Sequence, residues 1–568
     1  MPPTAWRRMT APTWNTHAPP PDDFSRSMGL PPVPARLLYN RGIRDREAAQ
    51  AFLSPYERDS HDPFLLPDME TAVARLALAV ETDETIGVFG DFDTDGLTAT
   101  AILVKALEEL GATVIPYLPD RTDEGHGLNP LAVSALRGQG ISLMITVDCG
   151  SSDVEEIELA SALGIDTIVT DHHVLPEHRP PAIALVNPSR KNSRYPYDEL
   201  TGAGLSYKLV EALWRFLGKG KPEHLMELAA IGTIADVGPL NGENRYLVKK
   251  GIERLNQTRN PGLKALIARA GLKLGQIDSK SLSFSLIPRL NAAGRLASAS
   301  VSLSLLTAAS TAEAEPIADQ LEKHNDARRL ISRKAVDQAV SQVESLAGGP
   351  PSVIVVEHAE WLPGILGLVA GSLSETYNRP VIALSPGELL TRASMRSIAG
   401  FDAVGALSGV QDVLQRHGGH PMAAGFVTKT SDLSRVKDHF ASLTLDSKGG
   451  DAPGPSIEID GEIAPSSLDK AYFTFIDSLS PFGRGNPDPV FLTRNVQVSR
   501  TRRVGQQRDH LKMSVIHDRR MWEVIGFRLG DRPVAIGDHL DLVYTPGMDE
   551  WGGRSTLQLT LLDLRPAR

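Results

Sequence analysis

From residue 86 onward the chain alternates short apolar runs with stretches of helical length, and no other feature narrows its possible folds as far. The runs are 86–89, 114–118, 143–147, 167–169 and 183–186, and 97–110 carries helical periodicity between the first two. Strands separated by helices of this length form a mostly parallel sheet with helices on its faces. Helices dominate from about 203 to 256, and 310–345 is a long helical stretch with no proline after Pro316. A second strand–helix–strand pattern follows at 353–356, 364–377 and 381–384. The segment 446–455, DSKGGDAPGP, is a linker by composition. Beyond it, alternating runs such as 557–562 describe an all-β module about as long as a small barrel.

The expected fold is therefore a two-lobed α/β core with parallel sheets, a long helical connector and a C-terminal all-β barrel. Its expected parts are a flexible N-terminal arm at 1–36, a first α/β domain at 37–256 with a helical extension at 37–80, and a helical connector at 257–348. They continue with a second α/β domain at 349–446, the linker at 447–455 and the barrel at 456–568. The arm is expected because Pro19-Pro20-Pro21 and Pro31-Pro32 oppose regular helix.

A net charge of −10 excludes a basic nucleic-acid coat, so any nucleic-acid contact must come from a local patch. A single cysteine, Cys149, excludes an internal disulfide framework and a multi-cysteine metal site, and fits a reducing compartment. No apolar run reaches the ~18 residues of a membrane span. With no apolar core near the N-terminus to act as a secretory signal, a cytoplasmic protein is expected.

Chemistry concentrates where strands end. Gly90-Asp91-Phe92-Asp93-Thr94-Asp95-Gly96 sets three carboxylates between a strand and a helix. Crowded carboxylates repel unless a cation sits among them, and hard divalent ions suit them. The competing reading is a solvated turn with Asp95 as helix N-cap. Asp148 ends the next apolar run, and Asp171-His172-His173 ends the one after. In an open parallel sheet these ends share one edge, where ligands bind. Asp236 closes an apolar helix in Ile234-Ala235-Asp236-Val237-Gly238, either as a further ligand or as a turn residue. Mixed Asp/His ligation suits Mn²⁺ or Mg²⁺. So many carboxylates exceed one ion's needs, which implies two ions and in-line hydrolysis at phosphorus.

GDFDTDG, VDCG, TDHH and IADVGPL together resemble the DHH phosphoesterase superfamily. RLNAAGR at 289–295 and SMRS at 394–397 are similar to segments of its bacterial single-strand-specific exonucleases. GGHPMAAGF at 418–426 is similar to their DHHA1 domain, and PFGRGNP at 481–487 to the start of their oligonucleotide-binding (OB) barrel. The resemblance covers about 37–565.

It implies a metal set of Asp91, Asp93, Asp95, Asp148, His172 and Asp236, with Asp148, His172 and His173 catalytic or His173 just behind the ligands. Phe89 stands where several superfamily members place a histidine. The resemblance also implies a 5′-phosphate site between the lobes, at Arg121, Ser394 and Arg396, with Arg295 and His420 nearby. Arginine forks suit phosphate oxygens, and serine adds a donor. Arg289, Asn291 and Arg295 surround an Ala-Ala-Gly turn, as substrate contacts or as an interdomain salt bridge.

Between Arg494 and Arg520 eight basic residues face only Asp509 and Asp518, which reads as a strand-tracking groove or as a solvated barrel face. Lys323, Arg328, Arg329, Arg333 and Lys334 on the long helix are open to the same two readings. The activity implied is 5′-to-3′ exonuclease action on single-stranded DNA, releasing nucleoside monophosphates in recombination and repair. The implied partners are a helicase and single-strand-binding protein, and a monomer is expected. Two rivals are a phosphodiesterase for short oligonucleotides or cyclic dinucleotides, and a non-catalytic DNA-binding replication factor. A dinucleotide needs no barrel groove, and a non-catalytic protein needs no intact acids.

Overall fold

The computed structural model describes residues 12–55, 59–444, 455–505, 507–551 and 554–567. The linker expected at 447–455 lies outside them except for Pro455. Near the N-terminus, Thr13–Thr16 forms strand β1.

The first lobe is built on β2 (Ile86–Gly90), β3 (Val114–Tyr117), β4 (Leu143–Val147), β5 (Asp166–Thr170) and β6 (Ala184–Val186). They run parallel in the order β3-β2-β4-β5-β6. β2 and β4 are buried along their whole length, as parallel strands covered on both faces must be. Side chains alternate between two cores. Val88, Ile145 and Val147 meet helices Thr94–Glu108 and Gly202–Phe216. Phe89 and Met144 meet helices Pro130–Gly138 and Val154–Ala162.

Helix Thr311–Glu344 joins the lobes. Its 34 residues span about 50 Å at 1.5 Å per residue. Ala314, Ala318 and Leu321 are buried in the first-lobe core, and Ala335, Ala339 and Val343 in the second. The second lobe carries β7 (Ile354–Glu357), β8 (Val381–Pro386), β9 (Leu390–Arg396), β10 (Leu414–His420) and β11 (Ala423–Lys429), ordered β10-β11-β9-β8-β7. Only β7 and β8 are parallel; short turns join β8 to β9 and β10 to β11 as antiparallel neighbours, and β11 pairs antiparallel with β9.

The C-terminal module contains β12 (Ser456–Ile459), β13 (Gly461–Glu462), β14 (Phe491–Val504), β15 (His510–His517), β16 (Arg520–Gly526), β17 (His539–Trp551) and β18 (Arg554–Pro566). The order β14-β15-β16-β18-β17 closes into a barrel through β14–β17 pairing.

The N-terminal segment departs from expectation. Over 12–36 it is ordered rather than a flexible arm: β1 pairs in parallel with β12, and helices Phe24–Met28 and Pro32–Asn40 follow. Pro32 opens a helix instead of breaking one, because a first-turn N–H has no intrahelical partner to lose. Phe24, Met28, Leu37, Leu38 and Ala49 are buried with barrel residues. Of the extension expected at 37–80, helix Arg46–Leu53 therefore joins the barrel, while helix Met69–Glu81 joins the first lobe.

The 481–487 motif docks the barrel module on the first lobe. Arg245, 1% exposed, donates to the carbonyls of Leu479 (2.8 Å) and Ser480 (3.0 Å), where helix Lys470–Leu479 ends. The negative end of that helix dipole suits a cation. Leu240 N–H donates to Arg484 O at 2.7 Å, and Ser279 Oγ to Phe482 O at 2.8 Å.

Candidate metal centre and anion pocket

The ends of β2, β4 and β5 deliver Asp91, Asp148 and Asp171-His172-His173 to one sheet edge, and helix Met226–Ala235 ends there with Asp236. One ligand atom from each of Asp91, Asp93 and Asp148 lies within 4.8 Å of the others. The same holds for Asp148, His172 and His173, and for Asp95, His172 and Asp236. Asp148 stands in two of these groups, with its Oδ1 3.0 Å from His172 Nε2. Asp148 has φ 60°, a left-handed conformation that raises a non-glycine residue by roughly 1–3 kcal/mol and clusters at functional sites. Helix Gly202–Phe216 starts against it: a Cβ on Gly202 would lie 2.5 Å from Asp148 Cβ, so only glycine allows that approach.

The three motif acids do different work. Asp93 is the N-cap of helix Thr94–Glu108, accepting from Asp95 N at 2.9 Å and Gly96 N at 3.3 Å through Oδ1, which leaves Oδ2 for the cluster. Asp95 caps the neighbouring helix: its oxygens accept from Gly202 N (2.7 Å), Ala203 N (3.0 Å) and Thr201 Oγ1 (3.2 Å). Asp91 Oδ1 is buried without a partner.

In the cluster carboxylates crowd one another, and only Asp91 is held below the usual range, where burial is offset by His126 and Arg121. Burial, then Asp236 and Asp93, push the Asp95 carboxyl well above the usual range. Burial, then Asp95, Asp93 and Asp91, do the same to Asp148. Acids crowded to this degree, with one oxygen orphaned, fit divalent cations. Asp171 holds the ring behind them, its Oδ1 2.7 Å from His173 Nδ1. Burial opposes protonation of His173, but this bond prevails and holds its pKa at about 9.

His126 is the residue that spacing could not reveal. Its Nδ1 lies 3.0 Å from Asp91 Oδ2, and its ring sits 4.3 Å from that of Phe92. Thirty-five positions separate it from Asp91, so the fold alone joins them. The one trace in the sequence is a glycine on either side, Gly125 and Gly127, at φ 82° and 80°.

Opposite the acids lies an arginine group. The Arg121 guanidinium is 4.1 Å over the Phe92 ring, and its Nε is buried without a partner. Burial and the repulsion of Arg121 lower the pKa of Arg295 to about 9 and also lower that of Arg396. Among the described residues none of these three pairs with a carboxylate at salt-bridge distance. Arg396 Nη1 donates to Ser394 Oγ at 3.2 Å. The backbone of Gly367, in the first turn of helix Leu366–Tyr377, comes so close that a Cβ there would lie 2.8 Å from Arg396 Nη2. Buried guanidinium groups, a hydroxyl and a helix N-terminus at one place form an anion pocket. His420, ending β10, stacks on His173 at 5.6 Å and so joins this pocket to the acids.

Arg289 is placed otherwise than expected. It forks onto Glu322, with Nε–Oε2 at 2.5 Å and Nη2–Oε1 at 3.0 Å, and braces the connector helices. Of the two readings of Arg289, the structure shows the salt bridge, made within the connector rather than between domains. Asn291 is half-buried on the same helix, Ile287–Leu296. On the barrel Arg500, Arg502 and Arg503 are exposed, and Arg502 pairs in register with Lys512. Arg494 instead bonds Glu462 (2.8 Å) and Asp541 (3.2 Å).

Family models match along the chain: "DHH family, N-terminal domain" over 85–233, "DHHA1 domain" over 350–444 and "RecJ OB domain" over 459–563. The parallel sheet with its acid edge is thus that of the DHH phosphoesterases. A curated single-stranded-DNA-specific exonuclease RecJ of Bacillus subtilis is 35% identical, over 97% of this chain and 70% of its own length. The protein of the same name from Escherichia coli K12 is 31% identical, over 94% and 96%. By this likeness the chain belongs to the RecJ family. The crystal structure of RecJ with Mn²⁺ from Thermus thermophilus matches with a TM-score of 0.85 at 29% identity, covering 98% of this chain and 80% of that one. The Mg²⁺ complex from the same organism matches with a TM-score of 0.78 at 28% identity, covering 98% of this chain and 79% of that one.

Proposed function

We propose that the chain is a metal-dependent exonuclease that degrades single-stranded DNA from its 5′ end and releases nucleoside 5′-monophosphates. One observation carries this reading: the acid cluster of the first lobe lies beside an anion pocket built between the lobes, and His420 of the second lobe stacks on His173. A cutting site one step from a site for a charged terminus is what end-directed hydrolysis needs.

Asp91, Asp93, Asp148, His172 and Asp236 would hold two Mn²⁺ or Mg²⁺ ions. Such ions neutralise the scissile phosphate and lower the pKa of an attacking water. The protein's own groups do the rest. Asp95 sets helix Gly202–Phe216 against the site. Asp171 fixes the ring of His173 toward His420. Arg121, Arg396 and Ser394 grip the 5′ phosphate, which carries more charge than an internal diester. Arg295, whose Nη1 donates to Gly364 O at 2.9 Å, ties the connector to that pocket.

In this division of labour the first lobe cuts, the pocket between the lobes reads the end, and the barrel holds the strand beyond. The exposed Arg500 and Arg502, with half-buried Lys512 opposite Arg502, support the last role. The extended strand path also favours DNA over a dinucleotide, and the intact acid cluster favours catalysis over passive binding. Work beside a helicase and single-strand-binding protein is what the family resemblance implies, and a cytoplasmic monomer is the form proposed for it. Among the described residues no helix is long and apolar enough to cross a membrane.

The test is a single strand labelled at either end and incubated with Mn²⁺. The 5′ label should appear at once as a mononucleotide, while the 3′ label stays in shortening products. Early release of the 3′ label, or products no shorter than dinucleotides, would overturn the reading.

A further inference from the structure

The loop between β3 and helix Pro130–Gly138 carries both Arg121, in the anion pocket, and His126, beside Asp91. It is internally braced. Glu124 accepts from Tyr117 Oη, Asp120 N and Asn129 Nδ2, each at 2.8 Å, and Asp120 Oδ1 accepts from Thr122 N at 2.7 Å. These bonds tie residues 117–129 into one braced unit. Two of its carbonyls are held from the other lobe. Arg392, on β9, donates from Nη2 to Thr122 O at 3.0 Å, and Arg416, on β10, donates from Nη1 to Glu124 O at 2.8 Å. Gly125 admits the second contact, since a Cβ there would stand 3.3 Å from Arg416 Nη1.

Neither arginine lies in the anion pocket, and both bonds are exposed to solvent. Exposed bonds of this kind are individually weak and readily broken. The strands that bear them also lead to the pocket: β9 ends with Ser394 and Arg396, and β10 with His420.

We propose that Arg392 and Arg416 form an inter-lobe latch that positions the 120–127 loop, so that Arg121 completes the 5′-phosphate pocket only when the lobes are closed. The latch rests on the end-reading function proposed above. The two arginines are positioning residues that act through Arg121.

The experiment compares kcat/KM for matched single strands bearing a 5′ phosphate or a 5′ hydroxyl, using the full chain with Mn²⁺. The variants are Arg392→Ala with Arg416→Ala, the same pair changed to lysine, Arg121→Ala, and the triple alanine variant. The alanine pair should lower the preference for phosphate by about tenfold, a loss expected for one or two such bonds. Its melting temperature should be unchanged, and the lysine pair, which still donates to carbonyls, should restore much of the preference. In the Arg121→Ala background the alanine pair should lower the preference no further. An unchanged preference in the alanine pair, beside a lost preference in Arg121→Ala, overturns the latch alone. Additive losses in the triple variant also overturn it, by showing direct substrate contact. A full preference in Arg121→Ala overturns the end-reading function and the latch with it.

Discussion

Asp148 Oδ1 and His172 Nε2 lie 3.0 Å apart, the acid at the end of β4 and the imidazole just past β5. Asp148 also lies among carboxylates, and burial with their repulsion raises its pKa. Function and stability should therefore oppose each other at this position. Asp148→Asn should cut kcat by at least about a hundredfold, since two-metal stabilisation contributes several kcal/mol. In chelator, where no ion relieves the repulsion, the same variant should melt above the wild type. Mn²⁺ should raise the wild-type melting temperature and barely move that of the variant. Calorimetry with and without Mn²⁺ checks both, and a variant that melts below the wild type in chelator contradicts the repulsion.

Asp95 should behave unlike Asp91. Its oxygens are engaged by Gly202 N, Ala203 N and Thr201 Oγ1, whereas Asp91 Oδ1 is an orphan. Asp95→Ala should destabilise the first lobe by about 1–2 kcal/mol, as loss of a helix cap does. Asp91→Ala, which loses the contact to His126 but no helix cap, should cost less stability in chelator than Asp95→Ala yet abolish the response to Mn²⁺. Equal melting temperatures for the two variants in chelator would refute the division.

Glu227, buried on helix Met226–Ala235, has a pKa pushed up to about 7, by burial against the hydrogen bond to Thr258. The folded state thus holds a proton that the unfolded state releases near 4.5. The associated stability is full below that pH, falls between it and about 7, and is absent above. Glu227→Gln should remove up to about 3 kcal/mol of this dependence and stabilise the lobe at pH 8. Melting curves from pH 5 to pH 8 check it; parallel curves for the two proteins would exclude the effect.

The barrel module cannot be removed alone without consequence. Phe24, Leu37 and Leu38 pack on it from the N-terminal side, so cutting the chain after 444 should expose them and cause aggregation. Removing residues 12–55 as well should leave a soluble core that still cuts short oligonucleotides. In the full chain, Arg500→Ala with Arg502→Ala and Lys512→Ala should flatten the slope of log affinity against log salt by about 2, at ~0.7 per single-strand phosphate contact. Filter binding across a salt series measures it.

What the sequence makes legible follows from locality. The strand ends carrying Asp91, Asp148 and His172 can be read because short, almost wholly apolar strands of β2 and β4 type stand out from their helices. The chemistry at their ends is then adjacent by topology alone. His126 cannot be read, because only the tertiary fold brings its loop to Asp91. The place of Arg289 is hidden for the same reason: its partner Glu322 lies on another helix. The prolines before residue 36 look like helix breakers in the sequence, although Pro32 stands at a helix start, where proline is tolerated. Asp95 groups with the ligands by its place in the motif, while the donors to its carboxylate, Gly202 and Ala203, lie more than a hundred positions away.

The central claim is that the acids cut and the arginine pocket chooses the end. Arg396→Ala tests it most directly, because Arg396 bonds Ser394 in the pocket and makes no hydrogen bond or salt bridge with the acids. Single-turnover rates with Mn²⁺ would be measured on one strand carrying either a 5′ phosphate or a 5′ hydroxyl. The preference for the phosphate should fall by at least about tenfold, the ~1.5–3 kcal/mol of a charged hydrogen bond, while the Mn²⁺ affinity stays as in the wild type. Equal losses on both strands would contradict the account and make Arg396 a general backbone contact.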